Sequence, residues 1–329
     1  MTTGFLEGKF LPLHTGHQRA IYSASSQVDK LYVVLGFNRE RDSEICRKDK
    51  IKEISPELRM SWLGNICSQL KNVKIISIED FDEKYDFYKM VDIHKKMIPN
   101  FSVVFSSEIK YDNIFKKIYP WAKSILIDPN RETVNISAER IRENPFKYWE
   151  YLPHVVKKFF NKKILITGVE SVGKSTIVKL LAKHFNCSID IQEVGRDYCE
   201  EYSNILTAEM FDDIVIDHYK AIEKSGSFQY SFVDTDAVVT QYYLEKYCNT
   251  NSEFIDAMIE KQKNYFDKIF YLEPTVPWFD DGFRFLEKSR QEDNEYLKSL
   301  YEKYKYDNLN YIDNPNYQER FRQIIKLLY

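Results

Sequence analysis

Gly168-Val-Glu-Ser-Val-Gly173-Lys174-Ser175-Thr176 decides the reading of this 329-residue chain. The stretch fits G-x-x-x-x-G-K-[ST], and it lies where that pattern has mechanical meaning, after an apolar run at 163–167 and before an amphipathic run at 174–185. With Gly at 10 and Lys plus Arg at 47 of 329 residues, chance supplies on the order of 0.004 matches per chain of this composition. A phosphate calls for these residue types. Glycines let successive backbone N–H groups curl round the anion, and the helix beginning near Lys174 adds its positive dipole end. Lys174 then spans the β- and γ-phosphates of ATP, while the Ser175 hydroxyl offers a ligand to Mg²⁺. The bland alternative is a helix start with an incidental lysine.

Outward from that loop, short β-rich apolar runs alternate with longer segments of helical period, the pattern of parallel sheets flanked by helices. Strands are expected at 3–6, 30–36, 73–78, 101–106 and 124–128, then at 163–167, 188–192, 230–234, 268–272 and 310–313. Helices are expected at 16–26, 56–70, 174–185, 206–224, 238–247 and 292–305. Length agrees with two domains, and the aromatic stretch 144–153 running into Phe159-Phe160 places the join near Asn161, giving domains 1–160 and 161–329. The fold class is therefore α/β, two parallel-sheet domains in tandem.

Composition narrows the function. A net charge of -3 offers no global basic field for a nucleic-acid backbone, so any anion must be held locally. Five widely spaced cysteines without a CxxC pair suggest neither a disulfide framework nor a zinc site, and a reduced cytoplasm is the simple setting. No apolar run reaches 18 residues and no export signal opens the chain, so no membrane association is expected. The basic run 47–52 reads as a solvated loop unless it reaches a phosphate. Oligomeric state is left open, a homo-oligomer included.

A second loop, Gly8-Lys9-Phe10-Leu11-Pro12-Leu13-His14-Thr15-Gly16-His17, follows the first strand and holds two of the six histidines at a helix start. There both imidazoles and several free N–H groups stand beside one anion site. A packed core histidine is the plainer alternative. The residues resemble the (H/T)xGH signature of the nucleotidyltransferase superfamily, in the form typical of nicotinamide mononucleotide adenylyltransferases. That resemblance implies a Rossmann-like domain binding ATP at Gly8, Lys9, Phe10, His14, Thr15, Gly16 and His17, with His17 catalytic. The family's later Ile-Ser-Ser-Thr-x-Ile-Arg motif is matched by Ile136-Ser137-Ala138-Glu139-Arg140-Ile141-Arg142. Ala138 and Glu139 depart from it, and Ser137 and Arg142 remain available for ATP phosphates.

An adenylyltransferase followed by a P-loop kinase resembles the NadR family, bifunctional nicotinamide-nucleotide adenylyltransferases and ribosylnicotinamide kinases. Supporting segments are Val104-Phe-Ser-Ser-Glu108, Asp128-Pro-Asn-Arg131, Glu193-Val-Gly-Arg196, Phe232-Val-Asp-Thr-Asp236 and Trp278-Phe-Asp-Asp-Gly-Phe-Arg284. Some members begin with a DNA-binding helix-turn-helix. Here the first strand starts within ten residues, so repressor activity through that module is expected to be absent. The resemblance implies NAD salvage: nicotinamide riboside is phosphorylated by the C-terminal domain, and the mononucleotide is adenylylated by the N-terminal domain to NAD and pyrophosphate. Neither step needs a covalent intermediate, so positioning and charge stabilisation carry the catalysis.

In the kinase half ATP is expected at Gly168, Glu170, Ser171, Gly173, Lys174, Ser175 and Thr176. Asp234 joins Ser175 in the Mg²⁺ shell. Glu193, Arg196 and Asp236 are expected at the riboside, with Glu193 or Asp236 as base for the 5′-hydroxyl, and acidic helix caps are the alternative for these carboxylates. Trp278 offers a stacking face to the cationic nicotinamide. Arg284 and Arg290 follow in a lid suited to transition-state charge, Arg290 at ATP, and solvated helix positions are the alternative. Two other readings stay open: the same folds acting on another nucleoside or phosphate ester, and an NAD- or ATP-sensing P-loop regulator without turnover.

Overall fold

Strands β1 (Thr3–Gly8) and β2 (Lys30–Phe37) are buried along most of their length, and for β2 this is why it reads as a continuous apolar run and not as an alternating one. The structure, a computed structural model, describes residues 1–80, 87–187, 191, 194–203, 205–277 and 289–329. Its chain divides into two compact units, Met1–Phe159 and Phe160–Tyr329.

In the first unit β1 and β2 join β3 (Val73–Glu79), β4 (Val103–Ser106) and β5 (Lys123–Leu126) in the order β3-β2-β1-β4-β5, every pair parallel. The register sets Gly8 beside Leu35, and Leu6 beside Phe105. The chain leaves β1 toward β2 on one side and returns as β4 on the other. A crevice therefore opens beyond the carboxyl ends of β1 and β4, the switch point where open α/β sheets bind ligands. One face of the sheet packs on Phe5, Tyr32, Val34, Phe101 and Tyr119, with Phe5 and Phe101 edge to face at 5.0 Å.

In the second unit β6 (Lys162–Thr167), β7 (Tyr230–Asp234), β8 (Lys268–Leu272) and β9 (Leu309–Ile312) form a parallel sheet in the order β7-β6-β8-β9. The loop after β6 again lies at a switch point. Asn161 is buried here, donating to the Phe228 carbonyl at 2.8 Å and the Ser231 hydroxyl at 2.9 Å. The strand expected at 188–192 lies outside the described residues except for Ile191, whose carbonyl accepts from the Asp234 N–H at 3.3 Å.

Several bounds differ from expectation. The strand expected at 101–106 shortens to Val103–Ser106, and the helix expected at 56–70 runs Pro56–Cys67, with Pro56 in the first turn and Ser55 capping Leu58 N–H at 3.2 Å. The basic run at 47–52 does not begin as loop. Arg47 and Lys48 close the helix Arg39–Lys48, where cations complement the carboxyl end of the dipole, and both are exposed. No described helix is long and apolar enough to cross a membrane.

Candidate nucleotide sites

The first site is built on the turn from β1 into the helix Thr15–Ser25. His14 caps that helix, its Nδ1 accepting from the His17 N–H at 3.4 Å. The two imidazoles stack with centroids 3.7 Å apart and planes 24° from parallel. Thr15 and Gly16 form the first turn between them, and a Cβ on Gly16 would fall 2.9 Å from Cε1 of His14, so glycine is what lets the rings close. Phe10, buried with a φ of 50°, meets His17 edge-on at 5.0 Å. Burial, and then the charge of Arg131, pushes the pKa of His17 down to about 3. Burial, followed by His17 and Arg131, carries His14 lower still. Both rings are neutral at neutral pH.

Cations surround this loop. Arg59, fully buried on the inner face of the helix Pro56–Cys67, donates to the Lys9 carbonyl at 2.9 Å and to Asp42 at 2.8 Å. Arg142 donates to the Leu11 carbonyl at 2.5 Å and pairs with Asp49 at 2.6 Å. Two guanidiniums thus hold outward-facing carbonyls of the loop. Lys9 reaches solvent, yet partial desolvation, and then Arg41, with Arg142 and Arg59, pushes its pKa down against the pull of Asp42. Ser137 caps the helix Ala138–Glu143 through the Arg140 N–H, at 3.3 Å. An open cleft of about 710 Å³ flanks the histidine helix, lined by Thr15, Gln18, Arg19 and Tyr22 and by residues 125–128 at the end of β5. Arg59 and Arg131 were missing from the expected site. A lone arginine among Trp62, Leu63 and Ile66 was the signal for the first, and the Asp128-Pro-Asn-Arg131 segment for the second.

The second site follows β6. Gly168 has a φ of +135°, and a Cβ there would fall 2.6 Å from the Leu272 carbonyl. Gly173, at φ +88°, starts the helix Lys174–His184, and Ser171 holds a left-handed φ of +62°. Lys174 is buried and donates to the Val169 carbonyl at 3.0 Å, curled into its own loop. Ser175 donates to Asp234 at 2.5 Å, while Thr176 is exposed on the first helical turn. Among the described residues no group of three or more His, Cys, Asp or Glu side chains is placed to hold a metal ion.

Two expectations change here. Asp236, expected at the riboside, has no exposed surface. It caps the helix Ala237–Cys248 through the Val239 N–H at 3.2 Å and accepts the Tyr301 phenol proton at 2.8 Å. Because that proton is spent on Asp236, the Thr167 hydroxyl, 2.7 Å from Tyr301 Oη, must be the donor of its pair. Burial pushes the Asp236 carboxyl up to about 6, against these donors. Arg290, expected at ATP, begins the helix Arg290–Lys303 and donates to the carbonyls of Val276 at 2.8 Å and Ser171 at 3.1 Å. It braces loop backbone instead of reaching outward from a lid.

Glu170 accepts from the Tyr247 hydroxyl at 3.2 Å. Tyr247 is 47% exposed, and its ring lies parallel to that of Tyr243, 5.7 Å apart and 4° from coplanar orientation. This aromatic face beside the loop was not foreseen, since i and i+4 tyrosines read equally well as helix packing. Arg196 is exposed on the helix Val194–Glu201. Glu193, Trp278 and Arg284 lie outside the described residues.

Residues 163–320 match a family model described as AAA domain. The chain is 33% identical, over 99% of its length, to the trifunctional NAD biosynthesis/regulator protein NadR of Escherichia coli strain K12, of which it covers 82%. The NadR protein of Salmonella typhimurium strain LT2 gives the same identity and coverage. A crystal structure of a NadR protein in complex with NR matches with a TM-score of 0.76 and 25% identity, over 99% of this chain and 95% of that one.

Proposed function

Since this chain belongs to the NadR family, we propose that it is a bifunctional NAD salvage enzyme, a ribosylnicotinamide kinase and a nicotinamide-nucleotide adenylyltransferase in one polypeptide. The observation that carries this reading is the pair of phosphate loops, each at a sheet switch point in its own unit, on a chain aligned almost end to end with NadR proteins. A cytoplasmic setting accords with five free cysteines.

In the second unit the loop 168–174 cradles the phosphates of ATP and Lys174 swings from Val169 to the β- and γ-phosphates. Ser175 and Asp234 supply a hydroxyl and a carboxylate, hard oxygen donors of the kind Mg²⁺ takes alongside phosphate oxygens, and they already touch each other. When bound there, Mg²⁺ neutralises developing phosphate charge. The riboside 5′-hydroxyl attacks the γ-phosphorus, the bond to the β–γ bridging oxygen breaks so that ADP leaves, and the hydroxyl proton passes to the base. We assign Glu193 as the base for that hydroxyl, since Asp236 caps the helix Ala237–Cys248 and accepts from Tyr301. Tyr243 and Tyr247 offer an aromatic face to the cationic nicotinamide. Trp278, Arg196 and Arg284 keep the roles expected of them from the sequence, the first as a stacking face, the second at the riboside and the third at transition-state charge.

In the first unit the mononucleotide phosphate attacks the α-phosphorus of a second ATP, and pyrophosphate leaves. His14 and His17 are neutral donors at a helix start, Lys9, Ser137 and Arg131 stand ready for the triphosphate, and Arg142 holds the Leu11 carbonyl of the loop beside it. The 710 Å³ cleft beside them is of a size for the nucleoside part of ATP. Mass spectrometry of products, after giving riboside or mononucleotide separately with Mg-ATP, tests the whole reading. Formation of mononucleotide and then NAD from the first and of NAD from the second is expected, and absence of NAD from either substrate would overturn it.

A further inference from the structure

Arg320, on the C-terminal helix Tyr317–Leu328, has no exposed surface. Its Nη1 donates to the Val172 carbonyl at 2.9 Å, and its Nη2 to the Glu273 carbonyl and the Thr275 hydroxyl, both at 2.7 Å. Its Nε donates to the Asn314 carbonyl. A buried guanidinium ordinarily sits on a carboxylate, because an unpaired charge is costly to desolvate. Here, among the described residues, every one of those acceptors is uncharged. The fork instead reaches three chain segments at once: the phosphate loop, the turn after β8 and the turn after β9. A planar fork of five donors can do this, and the single ammonium of a lysine cannot.

The loop needs such a hold. To turn its N–H groups inward around a phosphate, it must point carbonyls outward. Ser171 also keeps a left-handed φ of +62°, a conformation that costs a serine energy and persists only where its surroundings impose it. Arg290 takes the Ser171 carbonyl and Arg320 takes the next one, Val172. The C-terminal helix presses on the same place, since a Cβ on Gly173 would fall 2.2 Å from Tyr317 Cε1.

We propose that Arg320 is a positioning residue for ATP in the kinase reaction: it holds the Val172 carbonyl so that the phosphate loop keeps its N–H groups turned toward the triphosphate. It touches no substrate and acts through the loop. The proposal rests on the kinase reading given above.

The test is the full chain carrying Arg320→Lys, with the ATP KM of riboside phosphorylation as readout. Loss of hydrogen bonds from a charged donor at this site is expected to raise that KM about tenfold or more. The riboside KM should stay within about twofold, mononucleotide adenylylation should be unchanged, and the melting transitions should be kept. A residue that only stabilised the fold would lower the active fraction and leave the ATP KM alone, so an unchanged ATP KM in the folded variant overturns the proposal. If Arg320→Lys does not fold, Thr275→Val, which removes one acceptor of the fork along with that hydroxyl's own bond to the Asp313 carbonyl, should raise the ATP KM about threefold. An unchanged value there, or failure of both variants to fold, overturns it equally. The component of ATP binding that Lys174→Ala removes, followed by calorimetry, reports this loop without any acceptor. A chain that does not phosphorylate the riboside is thereby told apart from one in which Arg320 has no part.

Discussion

The Ser175 hydroxyl donates to Asp234 at 2.5 Å, across 59 residues of sequence. It links the first turn after the phosphate loop to the end of the neighbouring strand, so the two groups proposed to hold Mg²⁺ are in contact. Asp234→Asn should lower riboside phosphorylation by about 10²–10³, the scale of losing one preorganised electrostatic partner. Initial rates across a Mg²⁺ series check this, with NAD formation from the mononucleotide as the internal control that should not move.

Lys174→Ala should abolish riboside phosphorylation and leave NAD synthesis from the mononucleotide nearly intact, because the second activity uses a different loop in a different unit. Assaying the two reactions separately decides it. Equal loss of both would sink the two-site assignment.

His17→Ala should depress adenylyl transfer by about 10²–10³ while riboside phosphorylation continues, since the imidazole is placed as a donor to the α-phosphate. NAD formation within a few-fold of wild type would make His17 structural.

Acid should weaken the first unit through the same residue. Its folded pKa is about 3, below the ordinary 6.5, so the unfolded chain binds the proton more readily. The stability this contributes is present above pH 6.5 and is lost as pH falls toward about 3. Calorimetric melts between pH 7 and 4 should show a steeper decline for wild type than for His17→Gln. Parallel curves would refute the burial of a neutral ring.

Tyr247→Ala should raise the riboside KM by up to roughly thirtyfold, the range set by removing an aromatic face from a cation. The ATP KM in the same assay should rise far less. Trp278→Ala, measured alongside, separates the two aromatic candidates, and an unaltered riboside KM in Tyr247→Ala would leave Tyr247 as a prop for Glu170.

The two phosphate loops were legible because each is a contiguous strand, turn and helix start whose glycines and capping residues are set by local geometry. His14 and Gly16 show this well: the cap and the absent Cβ are written within four residues. β2, β4 and β8 were legible because burial along nearly their whole length makes each a short apolar run. Asp236 was harder. A carboxylate at a strand end serves equally as a substrate ligand or a helix cap, and the difference lay in Tyr301, 65 residues away.

The sequence by itself determined, then, that this chain has two α/β units, each with a phosphate loop, because those features depend on near neighbours and on the period of burial. Only the tertiary structure decided what braces the loops. Arg59 and Arg142 hold the carbonyls of Lys9 and Leu11, and Arg290 and Arg320 hold those of Ser171 and Val172. Each of these arginines lies far along the chain from the carbonyl it serves. An outward-turned carbonyl declares that it needs a donor but not which one, and the choice is made where packing brings a distant guanidinium into a place closed to water.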